Sequence, residues 1–346
     1  MKRLFLGPGS LESSAYEKEI LCPDEPEAVA PSIFLPGQLE RVKEWRNEPW
    51  FGQLSASHQI SGVISTTVNH APTIAYHIKG AILFDGSIYI GNYRYPLHPD
   101  YDNSAFVSSI HTVDHLHNAA LASTYLGTRF FAHWLADDCT RYLLAEGAHR
   151  VICTRRSTYP HQQEYQTYFK QDWTSLDRAR INKLTIFQDF SQNSHKRKRY
   201  EVLRQRIKAN VSAIGSDTRV YLRRGNTGTS RLIRNEDEII DTLVKYGFVL
   251  VDVEKDTVDR IIGTLLGAKI VVSIEGSHNA HCTYSCQQGS AFLVLMPSDR
   301  FAQMTRGWAA CLGIRYGFVV GIGEDAGYYF PVHEVLRTID LLLDRA

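Results

Sequence analysis

Apolar residues follow two different rhythms along this chain. In the second half, short β-branched runs alternate with amphipathic helical stretches. The runs are Arg219 to Leu222, Phe248 to Val253, Lys269 to Ile274, Ala291 to Met296 and Arg315 to Val320. Near-continuous apolar strands separated by helices are the pattern of a parallel sheet covered on both faces. The first intervening helix carries its own signals: Asn235 stands at the N-cap, Glu236 to Glu238 complement the positive end, and Gly247 ends it. Ile239, Ile240, Leu243 and Val244 form its apolar stripe. Residues 257–267, 278–287, 301–312 and 332–344 supply the other helices.

The first half is mixed. Thr73 to Ile78 and Ala81 to Ile90, separated by Gly80 and Gly86, predict antiparallel hairpins. A helix over 129–145, a strand at Arg150 to Cys153, a helix over 161–170 and a strand at Leu184 to Asp189 predict a smaller α/β domain. The charged run His195 to Arg199 opens a helix and reads as a solvated face at the domain junction. The expected fold class is α/β, with two Rossmann-like domains facing across a cleft and β hairpins near the N-terminus. The expected divisions are 1–195, 196–330, and a C-terminal helix over 331–346 that packs back near the junction.

Composition narrows the function. With 346 residues and 44% hydrophobic content there is material for two cores. The formal net charge of +1 removes the footprint of a general nucleic-acid binder, so an anionic ligand must be met locally. Met1 to Ser14 holds no signal-peptide core, and no apolar run approaches the ~18 to 20 residues of a membrane span. A cytoplasmic protein is expected, compatible with peripheral contact at the inner face of the membrane. Cysteines at 22, 139, 153, 282, 286 and 311 are too scattered for a disulfide framework and read as small apolar fillers.

Four stretches concentrate polar chemistry. Val220 to Glu236, VYLRRGNTGTSRLIRNE, ends a strand in Arg223 and Arg224, with Arg231 and Arg234 beyond a glycine-containing loop. Guanidinium forks at the carboxyl end of a parallel strand suit a phosphate or diphosphate, and strand alternation directs only one of the adjacent pair to it. The competing reading pairs these arginines with Glu236, Asp237 and nearby carboxylates.

In Lys269 to Gly289, KIVVSIEGSHNAHCTYSCQQG, a buried strand runs into Glu275, Gly276, Ser277 and His278 just before a helix. Gly276 permits close backbone approach, and the helix start with His278 offers donors to an anion. His278, His281, Cys282 and Cys286 also have helical metal-ligand spacing, but the second pair of a structural zinc site is missing.

Phe130 to Tyr142, FFAHWLADDCTRY, places His133, Asp137 and Arg141 along one helical line. The first two form a candidate general-base pair, and an Asp137–Arg141 ion pair is the plainer alternative. His111 to Asn118, HTVDHLHN, reads as a polar helix near the cleft.

At the first three of these stretches the chain resembles the family 61 glycosyltransferases, in order over roughly residues 75–325. His133, Trp134, Leu135 and Asp137 match the family's His-Trp-Leu-x-Asp signature. Tyr221, Arg224, Arg231, Asn235 and Glu236 match its Tyr-x-x-Arg, Arg and Asn-Glu element, and Gly276, Ser277, His278 and Ala280 its Gly-x-His-x-Ala loop. Asn279 stands where many members have Gly, and Glu275 where an apolar residue is common. The bacterial capsular and exopolysaccharide branch is the most similar.

The resemblance implies a GT-B fold and an inverting transfer from a nucleotide-sugar donor to a glycan or glycolipid acceptor, with no cofactor and no obligatory metal. On this reading Asp137 is expected to act as base with His133 orienting it. Arg223, Arg224, Arg231, Glu275, Gly276, Ser277, His278 and Asn279 then bind the donor. Residues 1–195 become the acceptor side and 196–330 the donor domain. The alternatives are a metal-dependent hydrolase using His111, His115, His133, His278 and His281, or a catalytically idle nucleotide-sugar-binding protein.

Overall fold

The computed structural model describes residues 9–44, 55–84, 86–97, 113–147, 150–154, 159–225, 231–324 and 327–344. The chain divides into two compact units built from interleaved segments. The first comprises Met1–Glu25 and His70–Arg206, the second Pro26–Asn69 and Ile207–Ala346. The partition therefore differs from a linear cut at 195/196. Residues 26–69 belong with the second unit because Ile33 bridges Gly317 at the edge of its sheet and is buried in its core. Arg41 then fixes the segment by pairing with Glu334 at 2.7 Å.

The second unit holds five parallel strands, labelled β1 (Thr218–Arg223), β2 (Phe248–Asp252), β3 (Ala268–Ile274), β4 (Ala291–Met296) and β5 (Arg315–Val320). Their order across the sheet is β2-β1-β3-β4-β5. All six residues of β4 and all but Lys269 of β3 are buried, which is why both read as unbroken apolar runs. Glu236–Lys245 and Val258–Leu266 connect the first three strands, and Met304–Cys311 connects β4 to β5. The C-terminal helix, Val332–Asp344, sends Val335, Ile339 and Leu342 into this sheet's core. It covers the parallel sheet, where the sequence placed it near a junction.

Asn235 occupies the N-cap of Glu236–Lys245 without accepting a backbone N–H of the helix, and donates to the Glu238 carboxylate at 3.1 Å. Its amide also clamps Phe330, accepting from the backbone nitrogen at 3.1 Å and donating to the carbonyl at 2.9 Å. Chain order reverses between β1 and β3, and in such sheets the crevice beyond the carboxyl ends at the reversal is where ligands bind.

The first unit is built on a mixed eight-stranded sheet. Thr73–Phe84 is one long strand that runs through Gly80, whose φ of +71° favours glycine, and does not stop there as the sequence suggested. The hairpin turn comes at Gly86 and leads into Ser87–Ile90. Arg178–Gln188 pairs antiparallel with Thr73–Phe84 and parallel with Asp114–Leu121. The stretch expected as a polar helix at 111–118 is thus a strand from Asp114 onward. Ala119 and Leu121 enter one core and Ala120 the opposite one, a period of two that tertiary pairing imposes. His111 lies outside the described residues.

The His-Trp-Leu-x-Asp stretch is helical but irregular: Phe131–His133 is α, Trp134–Asp138 is a π turn, and Cys139–Tyr142 is α again. All six cysteines are buried and none is in a disulfide. Among the described residues no helix is long and apolar enough to cross a membrane.

Candidate active site

Strand alternation separates the paired arginines at the end of β1. Arg223 turns to Glu236, reaching its carboxylate through Nε at 3.2 Å and Nη2 at 3.1 Å, while Tyr221 donates its hydroxyl to the same group at 3.0 Å. This is the carboxylate pairing that the sequence offered as the competing reading. Arg223, proposed there as a donor ligand, braces β1 against the following helix. Arg224 faces the other way and is only 9% exposed.

Gly276, at the tip of β3, shows where Arg224 goes. A β-carbon on Gly276 would stand 3.0 Å from Arg224 Nε and 2.9 Å from His278 Nδ1. The two side chains therefore converge over a bare backbone, and the glycine is required by that approach. Arg231 joins through Glu275, whose Oε2 lies 2.7 Å from Arg231 Nε. Arg300, on the segment after β4, completes the group at 3.5 Å from the same oxygen. Sequence reading did not assign Arg300 a role; its only signal was a basic residue shortly after a strand's carboxyl end, and nothing local distinguishes that from surface charge.

The electrostatics follow from the count. Three guanidiniums surround the buried carboxylate of Glu275, with the exposed Glu254 against Gly225 as a partial offset. Burial, reinforced by Arg231 and Arg300 against the pull of Glu275, brings Arg224 down to about 10. Arg224 still carries its charge at neutral pH, in surroundings with excess positive charge that an anion relieves.

The loop is held from behind. Asn279 donates to the Ile274 carbonyl at 3.1 Å, and Ser277 is half-buried at the head of the turn. The helical stretch there is a short 3₁₀ turn, Ser277–Ala280, followed by His281–Ser285. Its macrodipole is correspondingly small, so charge complementarity rests on the arginines more than on the helix start the sequence emphasised.

In the first unit, His133 Nδ1 and Asp137 Oδ2 are 2.7 Å apart, the juxtaposition expected from their spacing. Arg141 pairs with Asp138 at 3.3 Å, because the π turn shifts the helical phase. The other Asp137 oxygen accepts from Lys196 Nζ at 2.7 Å, and that ammonium is wholly buried. Lys196 also donates to the Asp189 carbonyl at 3.0 Å, and Arg199 grips the Asp189 carboxylate with two bonds of 2.8 Å. The run 195–199 is thus no solvated face: two of its cations are internal.

Burial opposes ionisation of Asp137, but Lys196 and His133 outweigh it and hold the carboxyl well below the usual carboxylate range. A carboxylate held so low is a poor proton acceptor. Its physical aptitude is to orient His133 and to stabilise an imidazolium. The sequence made Asp137 the base; its ion pair with Lys196 argues for the opposite order, which is proposed below.

Metal chemistry finds no such convergence. Among the described residues no three His, Cys, Asp or Glu side chains gather in a way that would hold an ion. Cys282 and Cys286 are packed in the interior, where burial pushes the Cys282 thiol up.

The sequence profile of the Glycosyltransferase 61 family matches residues 131–293, a span containing both polar clusters except Arg300. Residues 131–293 are thus similar to a glycosyltransferase family 61 domain. No curated protein matches the sequence. Among solved structures, a flavo di-iron protein mutant from Thermotoga maritima is 8% identical with a TM-score of 0.30, over 79% of this chain and 64% of its own length. TibC, an iron-containing dodecameric glycosyltransferase from enterotoxigenic E. coli, is 10% identical with a TM-score of 0.31, over 67% of this chain and 78% of its own. At those scores neither bears on the chemistry of this region.

The convergence over Gly276 has a direct consequence for the domain. In Gly276→Ala the new methyl must displace Arg224 or the His278 ring. Affinity for a nucleotide sugar, the ligand proposed below for this cluster, should fall roughly 10- to 100-fold through misplacement, while overpacking destabilises the fold by only about 1 to 3 kcal/mol. Calorimetric titration alongside a melting curve checks both; unchanged affinity would remove this convergence from the binding site.

Proposed function

We propose that the protein is an inverting glycosyltransferase that moves a sugar from a nucleoside-diphosphate donor to a hydroxyl of a glycan or glycolipid, in the assembly of bacterial surface polysaccharide. The observation that carries this reading is the gathering of Arg224, Arg231 and Arg300 around Glu275 and Gly276, beyond the carboxyl ends of β1, β3 and β4. A departing diphosphate develops the charge that such preorganised cations stabilise most. In this reading the second unit is the donor-binding half of a GT-B-type enzyme.

The reaction is a single displacement. The acceptor oxygen bonds to the anomeric carbon as the bond from that carbon to the diphosphate oxygen breaks, and the electron pair leaves with the diphosphate. The acceptor proton passes to His133, whose ring Asp137 orients and whose positive charge Asp137 then balances. Because guanidiniums meet the leaving charge, transfer is expected to persist in a chelator.

A thermal-shift panel of UDP- and GDP-sugars tests the reading. A true donor at about 100 times its dissociation constant adds about 2.7 kcal/mol of stability, a shift of several degrees. The donor so identified should then give a product of inverted anomeric configuration by NMR. Absence of stabilisation by every nucleotide sugar would overturn the donor assignment, and a retained anomer the mechanism.

A further inference from the structure

Behind the arginine cluster runs a short hydrogen-bond chain that decides what His278 presents to a ligand. Ser273 is fully buried in β3, and its hydroxyl has two carbonyls within reach, Leu222 at 2.7 Å and Ile274 at 3.4 Å. A hydroxyl has one hydrogen, and the short bond to Leu222 uses it. The 2.6 Å contact between Ser273 Oγ and His278 Nε2 must therefore be made with the hydrogen of the ring. That fixes the tautomer: Nε2 carries the proton and Nδ1 is a lone pair.

Nδ1 is buried and has no hydrogen-bond partner among the described residues, and it borders the bare backbone of Gly276 beside Arg224. The charged groups around it come from every neighbouring element. Arg224 lies at the end of β1, Arg231 on the segment beyond it, Glu275 at the tip of β3, Arg300 after β4, and His281 one turn along. Burial, then Arg224, His281 and Arg231, hold His278 well below its ordinary value, so the ring rests neutral. An anionic oxygen entering here would meet a lone pair, acceptor against acceptor.

We propose that donor binding is coupled to uptake of one proton by His278 at Nδ1, with Ser273 acting as the positioning residue that keeps Nε2 protonated and turns Nδ1 toward the diphosphate. This rests on the glycosyltransferase reading above. The diphosphate offsets the guanidiniums that disfavour an imidazolium, and the new Nδ1–H donates to a phosphate oxygen. Ser273 accepts from Nε2–H in both states, so the ring need not turn. The proton comes from solvent and returns there when the nucleotide leaves. By linkage, binding is tighter at lower pH and weakens as pH rises through the value His278 has in the complex.

The experiment is isothermal titration of the full chain with UDP- and GDP-sugars, in buffers of different ionisation enthalpy at about pH 7.5. Such donors carry only strongly acidic diphosphate groups, so any proton exchanged belongs to the protein. Uptake approaching one proton per ligand is expected, with affinity falling as pH rises, and His278→Asn should abolish both. Ser273→Ala should lower uptake and affinity together; full uptake in that variant would overturn the positioning role.

Long-range ¹H–¹⁵N spectra of the wild-type histidines give a readout independent of any variant's folding. They should show His278 as the neutral Nε2–H form alone and as an imidazolium with ligand. Donor binding without proton uptake, or a ring neutral in both states, overturns the coupling and leaves the transferase reading standing. Failure of every UDP- and GDP-sugar to bind overturns both.

Discussion

Arg224→Ala should lower turnover on the order of 100-fold or more, the cost of removing one preorganised donor from a developing negative charge. The variant's stability should hold or rise slightly. Arg224 is buried beside Arg231 and Arg300, so its removal relieves repulsion between like charges as well as deleting a contact. A residue kept for function at the expense of the fold behaves in this way, whereas a structural arginine would lose stability and activity together. Arg224→Lys should recover only a fraction of the loss, because a point-charge ammonium cannot span two phosphate oxygens as a planar fork does. Steady-state kinetics with the donor found by thermal shift, alongside a melting curve, decide the matter. Near-normal kcat/KM in Arg224→Ala removes this arginine from the mechanism.

Lys196→Met should produce the largest stability loss of any single change in the first unit, roughly 3 to 5 kcal/mol, while nearly conserving side-chain volume. The ammonium is the shared counterion of two buried carboxylates, 2.7 Å from Asp137 and 3.9 Å from Asp189. Its removal leaves Asp137 with His133, and Asp189 with Arg199 and the field of Arg141.

The pH dependence has a definite sign. Burial disfavours ionisation of both carboxyls, but their cationic partners prevail and hold both well below the usual carboxylate range in the folded chain. They therefore contribute stability above about pH 4, the ordinary carboxylate value, and lose it as pH falls toward their folded values. The gap between wild type and Lys196→Met should accordingly be widest near neutrality and close in acid. Urea midpoints across that range measure it. An unchanged midpoint at neutral pH would mean that the buried ammonium contributes nothing net.

These two residues mark the limits of what the chain announces locally. Arg224 was legible because it closes a β-branched run at a strand's carboxyl end, ahead of a glycine-containing loop. Its separation from Arg223 followed from the two-residue period of a strand. Which of the pair would face the ligand was not legible, since it depends on β3 lying beside β1 and bringing Gly276 and His278 to that face. Lys196 sits in a run of charges that local patterning reads as solvated. Its burial is possible only because Asp137, 59 positions earlier, supplies a counterion. Arg300 reaches Glu275 only once β4 has taken its place next to β3.

The sequence by itself determined the five parallel strands of the second unit, the helices between them, and the family signature spread over both polar clusters. Each of these is written in residues close together in the chain, where hydrophobic period, caps and turn residues act directly. Tertiary structure alone decided the return of residues 26–69 to the second unit and the strand at Asp114–Leu121. It also decided the burial of Lys196 and the orientation of Asp137 toward it. A strand's identity at its boundaries and a charge's right to be buried depend on partners brought from elsewhere by the sheet order, and no window of sequence contains them.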